Sequence, residues 1–206
     1  MTRLVAASAS PGAGAVESRL QWRGGATDLW PLLRVPADMS AVADALATGL
    51  PDADVVLGPD PGGVLLGPPV AERLRVPFAP VCRDRRFFFQ GPHATVTAPT
   101  GDGELWAHAA ALPPGTRAVL VDDWTESGGT LRAARALVDS AGARLVGVAL
   151  LVDCLPEDVR RLLTDGGTVV RALARPEARR GDGISAAGAR DADSGGRDRS
   201  PNRSAS

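Results

Sequence analysis

The sequence predicts an α/β domain with a mostly parallel central sheet and helices on both faces. Three observations carry this expectation. Short apolar runs alternate along the chain with amphipathic runs of helical length. The apolar runs at residues 118–121 and 145–152 show no apolar–polar alternation, so both faces of those strands must be buried. The apolar runs end in short segments of Asp, Gly, Ser and Thr, at the strand ends where open parallel sheets hold their ligands.

The elements come in this order. Residues 1–20 are small and polar and read as a variable, loosely ordered N-terminal segment. Residues 39–50 read as a helix with Asp38 as its N-cap. Residues 54–57 form a short strand ending at Gly58, and residues 64–74 a helix turned or kinked at Pro68 and Pro69. Residues 78–83 are strand-like, and residues 85–106 are irregular apart from an alternating patch at 94–98 that suits a hairpin. Strands at 117–121, 145–152 and 168–173 enclose helices at 129–141 and 157–163. From residue 176 to 206 the chain is Gly, Ser, Ala, Arg and Asp with Ile184 as the one large aliphatic, too little to offset the entropy of ordering. The expected organisation is an N-terminal segment at 1–20, a folded domain at 21–175 and a disordered tail at 176–206.

Composition narrows the chemistry. All 23 basic residues are Arg, which excludes a Schiff-base lysine and a Walker-type phosphate loop. The formal net charge of −1 gives no general attraction to nucleic acid or to an anionic membrane. Cys82 and Cys154 stand far apart in apolar surroundings and read as buried free thiols, which suits a reducing cytoplasm. The longest apolar stretch, residues 145–152, is far short of a membrane span.

The segment AVLVDDWTESGGTL, residues 118–131, carries the chemistry. Asp122 and Asp123 close a buried strand, where they can hold a diol or a divalent metal. Gly128 and Gly129 let the backbone fold tightly and expose N–H groups, Ser127 and Thr130 add hydroxyls, and the following helix presents its positive end. A phosphate cradle beside a diol clamp describes a ribose 5-phosphate site.

This order of residues resembles the signature of type I phosphoribosyltransferases, and the resemblance is closest to the adenine branch. It extends through TDLWPLL at 27–33, DVVLGPDPGGVLLGPPVAERLRVPFAPV at 54–81 and the stretch 112–153. It implies the type I fold with a small hood, a homodimer, and transfer of a 5-phosphoribosyl group from phosphoribosyl pyrophosphate to a purine-like base with Mg²⁺. By this resemblance Asp122 and Asp123 engage the ribose hydroxyls and the metal, and residues 126–130, Glu126 to Thr130, wrap the 5-phosphate. Asp60, Gly62 and Gly63, with Arg83, Arg85 and Arg86, would meet the pyrophosphate.

The sequence also departs from the branch. Its E-A-R-G turn is here Asp60-Pro61-Gly62-Gly63, so an arginine is replaced by Gly62. Its F-R-D stretch is here Ala26-Thr27-Asp28, and its loop tyrosine has no counterpart. Glu126 stands where the hypoxanthine-guanine branch has a carboxylate near the base, which suits a general base or, equally, a solvated loop residue. Trp124 suits either stacking on a heterocycle or burial against a neighbouring element. His93 and His108 read as structural, and Phe87 to Phe89 as a hydrophobic cover or an interface. The missing arginine keeps a second reading open: a non-catalytic regulator of the same fold that binds phosphoribosyl pyrophosphate or a nucleotide.

Overall fold

The computed structural model describes residues 2–23, 28–84, 95–100, 103–125 and 127–177. Among these residues the elements run β1 (Leu4–Ala6), α1 (Pro11–Arg19), α2 (Trp30–Leu33), α3 (Pro36–Ala47), β2 (Val55–Pro59), α4 (Gly62–Leu74), β3 (Phe78–Val81), β4 (Thr95–Thr100), β5 (Gly103–His108), β6 (Arg117–Asp122), α5 (Gly129–Ser140), β7 (Arg144–Val152), α6 (Glu157–Asp165) and β8 (Val169–Pro176). The main sheet has the order β1-β8-β7-β6-β2-β3. All its pairings are parallel except β1 with β8. Strands β4 and β5 form a separate antiparallel hairpin, which packs on α5.

The unalternating strands are explained by two cores. Val119, Val121, Ala149 and Leu151 point to one face, into a cluster with Val16, Leu32, Val42, Leu46, Leu66 and Val70 of α1 to α4. Their chain neighbours Ala118, Leu120, Val148 and Leu150 point to the other face, where Leu131, Leu137, Val138, Val159 and Leu163 of α5 and α6 meet Leu105 of the hairpin. Each of these leucines is fully buried. Cutting one to alanine is worth roughly 2–5 kcal/mol.

Several sequence expectations are corrected. Residues 4–6 and 11–19 are not loose: β1 caps the sheet edge and α1 lies against α3. The contact is built from small residues, since a Cβ at Gly12 would run into the Ala41 carbonyl. Alanine and glycine bury closely packed backbone without giving a strong amphipathic signal, so periodicity does not reveal the element. Asp38 is not the N-cap of its helix. The helix starts earlier because Pro36 occupies the first position, where its missing N–H costs nothing, and Val35 is the cap residue. Asp38 sits in the first turn and accepts from Arg19 Nε at 2.7 Å.

Pro68 and Pro69 lie within α4 rather than ending it. Pro68 and Leu65 are exposed, so carbonyls freed on that side can bond water. The last strand also runs further than the sequence suggests, because Leu4 pairs with Pro176 and Arg3 O accepts from Glu177 N–H at 2.8 Å. Residues 178–206, the bulk of the expected tail, lie outside the described residues. No helix among the described residues is long and apolar enough to cross a membrane.

Candidate active site at the carboxyl edge of the sheet

The carboxyl ends of β2, β3, β6 and β7 lie on one edge of the sheet, because those strands are parallel. Asp122 ends β6, opposite Leu150 of β7. The chain stays bound to β7 for one more residue, as Asp123 O accepts from Val152 N–H at 2.9 Å. The two carboxylates are therefore held by backbone on a rigid strand end.

Asp122 is buried, with 6% of its surface exposed. Burial raises its pKa well above the ordinary carboxylate value, and the neighbouring Asp123 raises it further. The N–H groups of Asp123 and Gly63 act in the opposite direction, the first donating to Asp122 Oδ1 at 2.9 Å. Burial also raises the pKa of Asp123, although Oδ1 accepts from Trp124 N–H at 2.8 Å. A buried acid beside a half-buried one favours sharing a proton until a cation or a polyol relieves their repulsion.

The loop after β6 is shaped by Thr125 and Gly128. Thr125 is buried, and its Oγ1 accepts from Gly128 N–H at 3.1 Å. Gly128 has φ +73°, and any Cβ on it would strike Val159. Glycine is thus required twice over, by conformation and by space. Gly129 N–H donates to Ser127 Oγ at 3.3 Å, and Gly128 O receives the first helical bond, from Arg132 N–H at 2.9 Å. Helix geometry leaves the N–H groups of the first turn of α5 without intrahelical acceptors, and these include Thr130. Sequence reasoning alone gives Thr125 no role beyond spacing. Its one signal is a hydroxyl three residues ahead of a glycine at a helix start.

The turn after β2 faces the same edge. Its Asp60–Pro61 peptide is cis. Asp60 N–H donates to Val81 O at 3.0 Å, and Asp60 Oδ1 accepts from Arg83 N–H at 3.2 Å, so the turn is tied to the end of β3. Gly62 lies directly against the Asp123 carboxylate, which a Cβ would strike. Gly63 N–H is turned to Asp122. The structure thus brings Asp60, Gly62 and Gly63 onto the diacid of β6. Arg83 Nη2 reaches further and donates to Thr130 Oγ1 at 3.1 Å.

Trp124 rests its ring on the edge of Trp22, with centroids 5.8 Å apart and planes at 85°, and packs with the core on the α1 side. Asp28 Oδ1 accepts from Trp30 N–H at 2.9 Å and so shapes the entry to α2. His108 Nδ1 accepts from Ala110 N–H at 3.1 Å, a capping contact at the end of the hairpin. Cys82 is buried, and burial with the nearby Asp60 and Asp84 pushes its thiol up to about 11. Glu126, Arg85, Arg86, Phe87 to Phe89, His93, Ala26 and Thr27 lie outside the described residues.

Among the described residues no three His, Cys, Asp or Glu side chains gather into a metal cage. Two adjacent carboxylates with no third protein ligand fit Mg²⁺, which is commonly held by one or two carboxylates together with substrate oxygens and water. They do not fit an all-protein zinc site.

Comparison with known proteins agrees with this geometry. The profile of the phosphoribosyl transferase domain matches residues 37–161. An adenine phosphoribosyltransferase of a Nocardioides species is 40% identical over 136 residues, spanning 61% of this chain and 71% of that protein. One from a Synechococcus species is 35% identical over 139 residues, 66% of this chain and 79% of that one. The crystal structure of the adenine phosphoribosyltransferase of Thermoanaerobacter pseudethanolicus superposes with a TM-score of 0.61 at 28% identity, covering 73% of this chain and 87% of that one. That of Trypanosoma brucei, in complex with AMP, pyrophosphate and ribose-5-phosphate, shares the fold with a TM-score of 0.66 at 23% identity, covering 81% and 80%. A strand-end diacid, a glycine-shaped phosphate loop and a family match over more than half the chain lead to one conclusion: this chain belongs to the phosphoribosyl transferase family.

Proposed function

We propose that this protein transfers the 5-phosphoribosyl group from phosphoribosyl pyrophosphate to a purine base and releases pyrophosphate. The observation that carries the proposal is the joint placement of Asp122 and Asp123 at the end of β6 with the loop that opens α5. The adenine phosphoribosyltransferases among the relatives support a purine acceptor. In the reaction the bond from the anomeric carbon to the pyrophosphate oxygen breaks, and its electron pair leaves with pyrophosphate. A ring nitrogen of the base supplies the pair for the new bond and gives up its proton.

The chain's own groups act by position and charge. Asp122 and Asp123 would accept hydrogen bonds from the ribose hydroxyls and hold their oxygens fixed as positive charge grows at the anomeric carbon. Ser127, Gly129 and Thr130 would hold the 5-phosphate at the helix N-terminus. Asp60, Gly62 and Gly63 would border the pyrophosphate. Glu126 is assigned the base proton. Mg²⁺, when bound at Asp122 and Asp123, would offset the charge of the pyrophosphate. Trp124, seated on Trp22, would offer the base its remaining exposed surface.

One observation favours a second reading, a regulator that binds the same ligand without turning it over. The turn has Gly62 where the adenine branch has an arginine, and the Gly63 N–H already faces Asp122. Pyrophosphate release measured with a panel of purine and pyrimidine bases separates the two. Turnover with a purine is the expected result; tight binding of phosphoribosyl pyrophosphate with no turnover on any base would establish the regulator instead.

A further inference from the structure

Trp22 and Trp124 join the N-terminal part of the chain to the strand end that carries the diacid. Their ring centroids lie 5.8 Å apart with planes at 85°, an edge-to-face contact. In such a contact Trp22 covers no more than one face of the Trp124 ring. Trp124 is half-buried, whereas Trp22 is buried with 7% of its surface exposed. Trp22 is also held through its backbone. It follows closely on α1, and its carbonyl accepts from Thr2 N–H at 3.1 Å.

The covalent structure of a ribosyl group says what would lie beside Trp124. A clamp on the ribose hydroxyls holds the carbon next to the anomeric carbon, so a base on the anomeric carbon is attached directly beside the clamp. The clamp residues are Asp122 and Asp123. Trp124 is the next residue in the chain, and its N–H donates to Asp123 Oδ1 at 2.8 Å. The main chain is fixed here, because Asp123 O accepts from Val152 N–H of β7. The freedom left to Trp124 is in the torsions of its side chain, and the ring of Trp22 restricts them. A ring already oriented spares the ligand the cost of ordering it.

We infer that Trp22 is a positioning residue for the base: it orients the Trp124 indole on which a purine stacks, and it does so without touching the ligand. This assignment rests on the phosphoribosyltransferase reading. Trp22 lies ahead of residues 37–161, the span matched by the family profile, so the N-terminal part of this chain contributes to the choice of ligand.

The test is calorimetric titration of the full chain with ribose 5-phosphate and with AMP, both with Mg²⁺. The two probes differ in the base on the anomeric carbon, and AMP should bind the parent more tightly. Trp22→Leu keeps an apolar side chain in the core but removes the ring. It should weaken AMP by roughly threefold to tenfold, the scale of ordering one large side chain, and leave ribose 5-phosphate within about twofold. Trp22→Phe keeps an aromatic edge and guards against loss of the fold. It should weaken AMP by less, and its effect should vanish in a Trp124→Leu background. Equal weakening of both probes, unchanged AMP binding, or a Trp22→Phe effect that persists without the Trp124 ring would overturn the assignment. So would a parent that binds AMP no more tightly than ribose 5-phosphate. A parent that binds neither probe would instead remove the phosphoribosyltransferase reading itself.

Discussion

Gly62 rests its bare Cα against the carboxylate of Asp123, in space that any larger residue would need for its Cβ. The carboxylate is short and its Oδ1 accepts from Trp124 N–H at 2.8 Å, so it has little freedom to retreat. Gly62→Ala should therefore cost about 1–3 kcal/mol by overpacking. In an Asp123→Ala background the same change should cost much less, because the obstructing atoms are gone. Urea denaturation of the four proteins measures the coupling, and additive effects would show that the two residues do not share this space.

The Asp122 prediction concerns pH. Its folded pKa is raised by burial and by Asp123, so its favourable contribution is complete below the unfolded value, about 4, and is lost as pH rises toward the folded value. Without Mg²⁺ or ligand, Asp122→Asn should thus melt higher than the parent at neutral pH, and its melting temperature should fall less between about pH 4 and pH 7. Asp122→Asn with Asp123→Asn should also abolish binding of phosphoribosyl pyrophosphate while the fold persists. Thermal scans across pH, paired with calorimetry, check both. A double variant that binds normally would move the diol clamp elsewhere.

Glu126→Gln should keep ligand affinity and slow turnover by roughly 10²- to 10⁴-fold, the scale of one general acid–base group. The acidic limb of the pH–rate profile should disappear. Weakened affinity at unchanged turnover would make Glu126 a binding residue.

Two truncations should separate the contribution of β8 from that of residues 178–206. Ending the chain after Glu177 should leave the melting temperature within about 2 °C, since residues 178–206 have almost nothing apolar to bury. Ending it after Leu173 should destabilise strongly, because Ala174 is buried and residues 174–176 pair with Ala6, Val5 and Leu4 of β1. Circular dichroism melts of the two shortened chains provide the comparison.

Much of this architecture was legible because parallel strands buried on both faces must be apolar throughout, as 118–121 and 145–152 are. The diacid and the phosphate loop were legible for a different reason: Asp-Asp ahead of Ser-Gly-Gly-Thr is a local arrangement whose atoms lie close in the chain. The contacts that escaped depend on distance. Nothing in the residues around Gly62 announces Asp123, some sixty positions later, and nothing around Arg83 announces Thr130. The α1–α3 contact was hidden because its residues are small, and closeness of backbone leaves no periodic trace. Asp38 is not the cap because a proline at the first helical position outweighs a good capping side chain two residues on.

Pro80 of β3 has a consequence for how copies of this protein can meet. Val56 N–H donates to Pro77 O and Asp60 N–H to Val81 O, so the odd-numbered residues of the strand face β2 and Pro80 faces outward. At that outward position the strand offers no N–H to a neighbour. At the opposite border of the sheet β1 is only three residues long. A sheet with one border interrupted by proline and the other cut short is a poor template for adding strands from a second molecule. If two copies pair, as the family resemblance implies, neither border of the main sheet is a favourable place for them to do so.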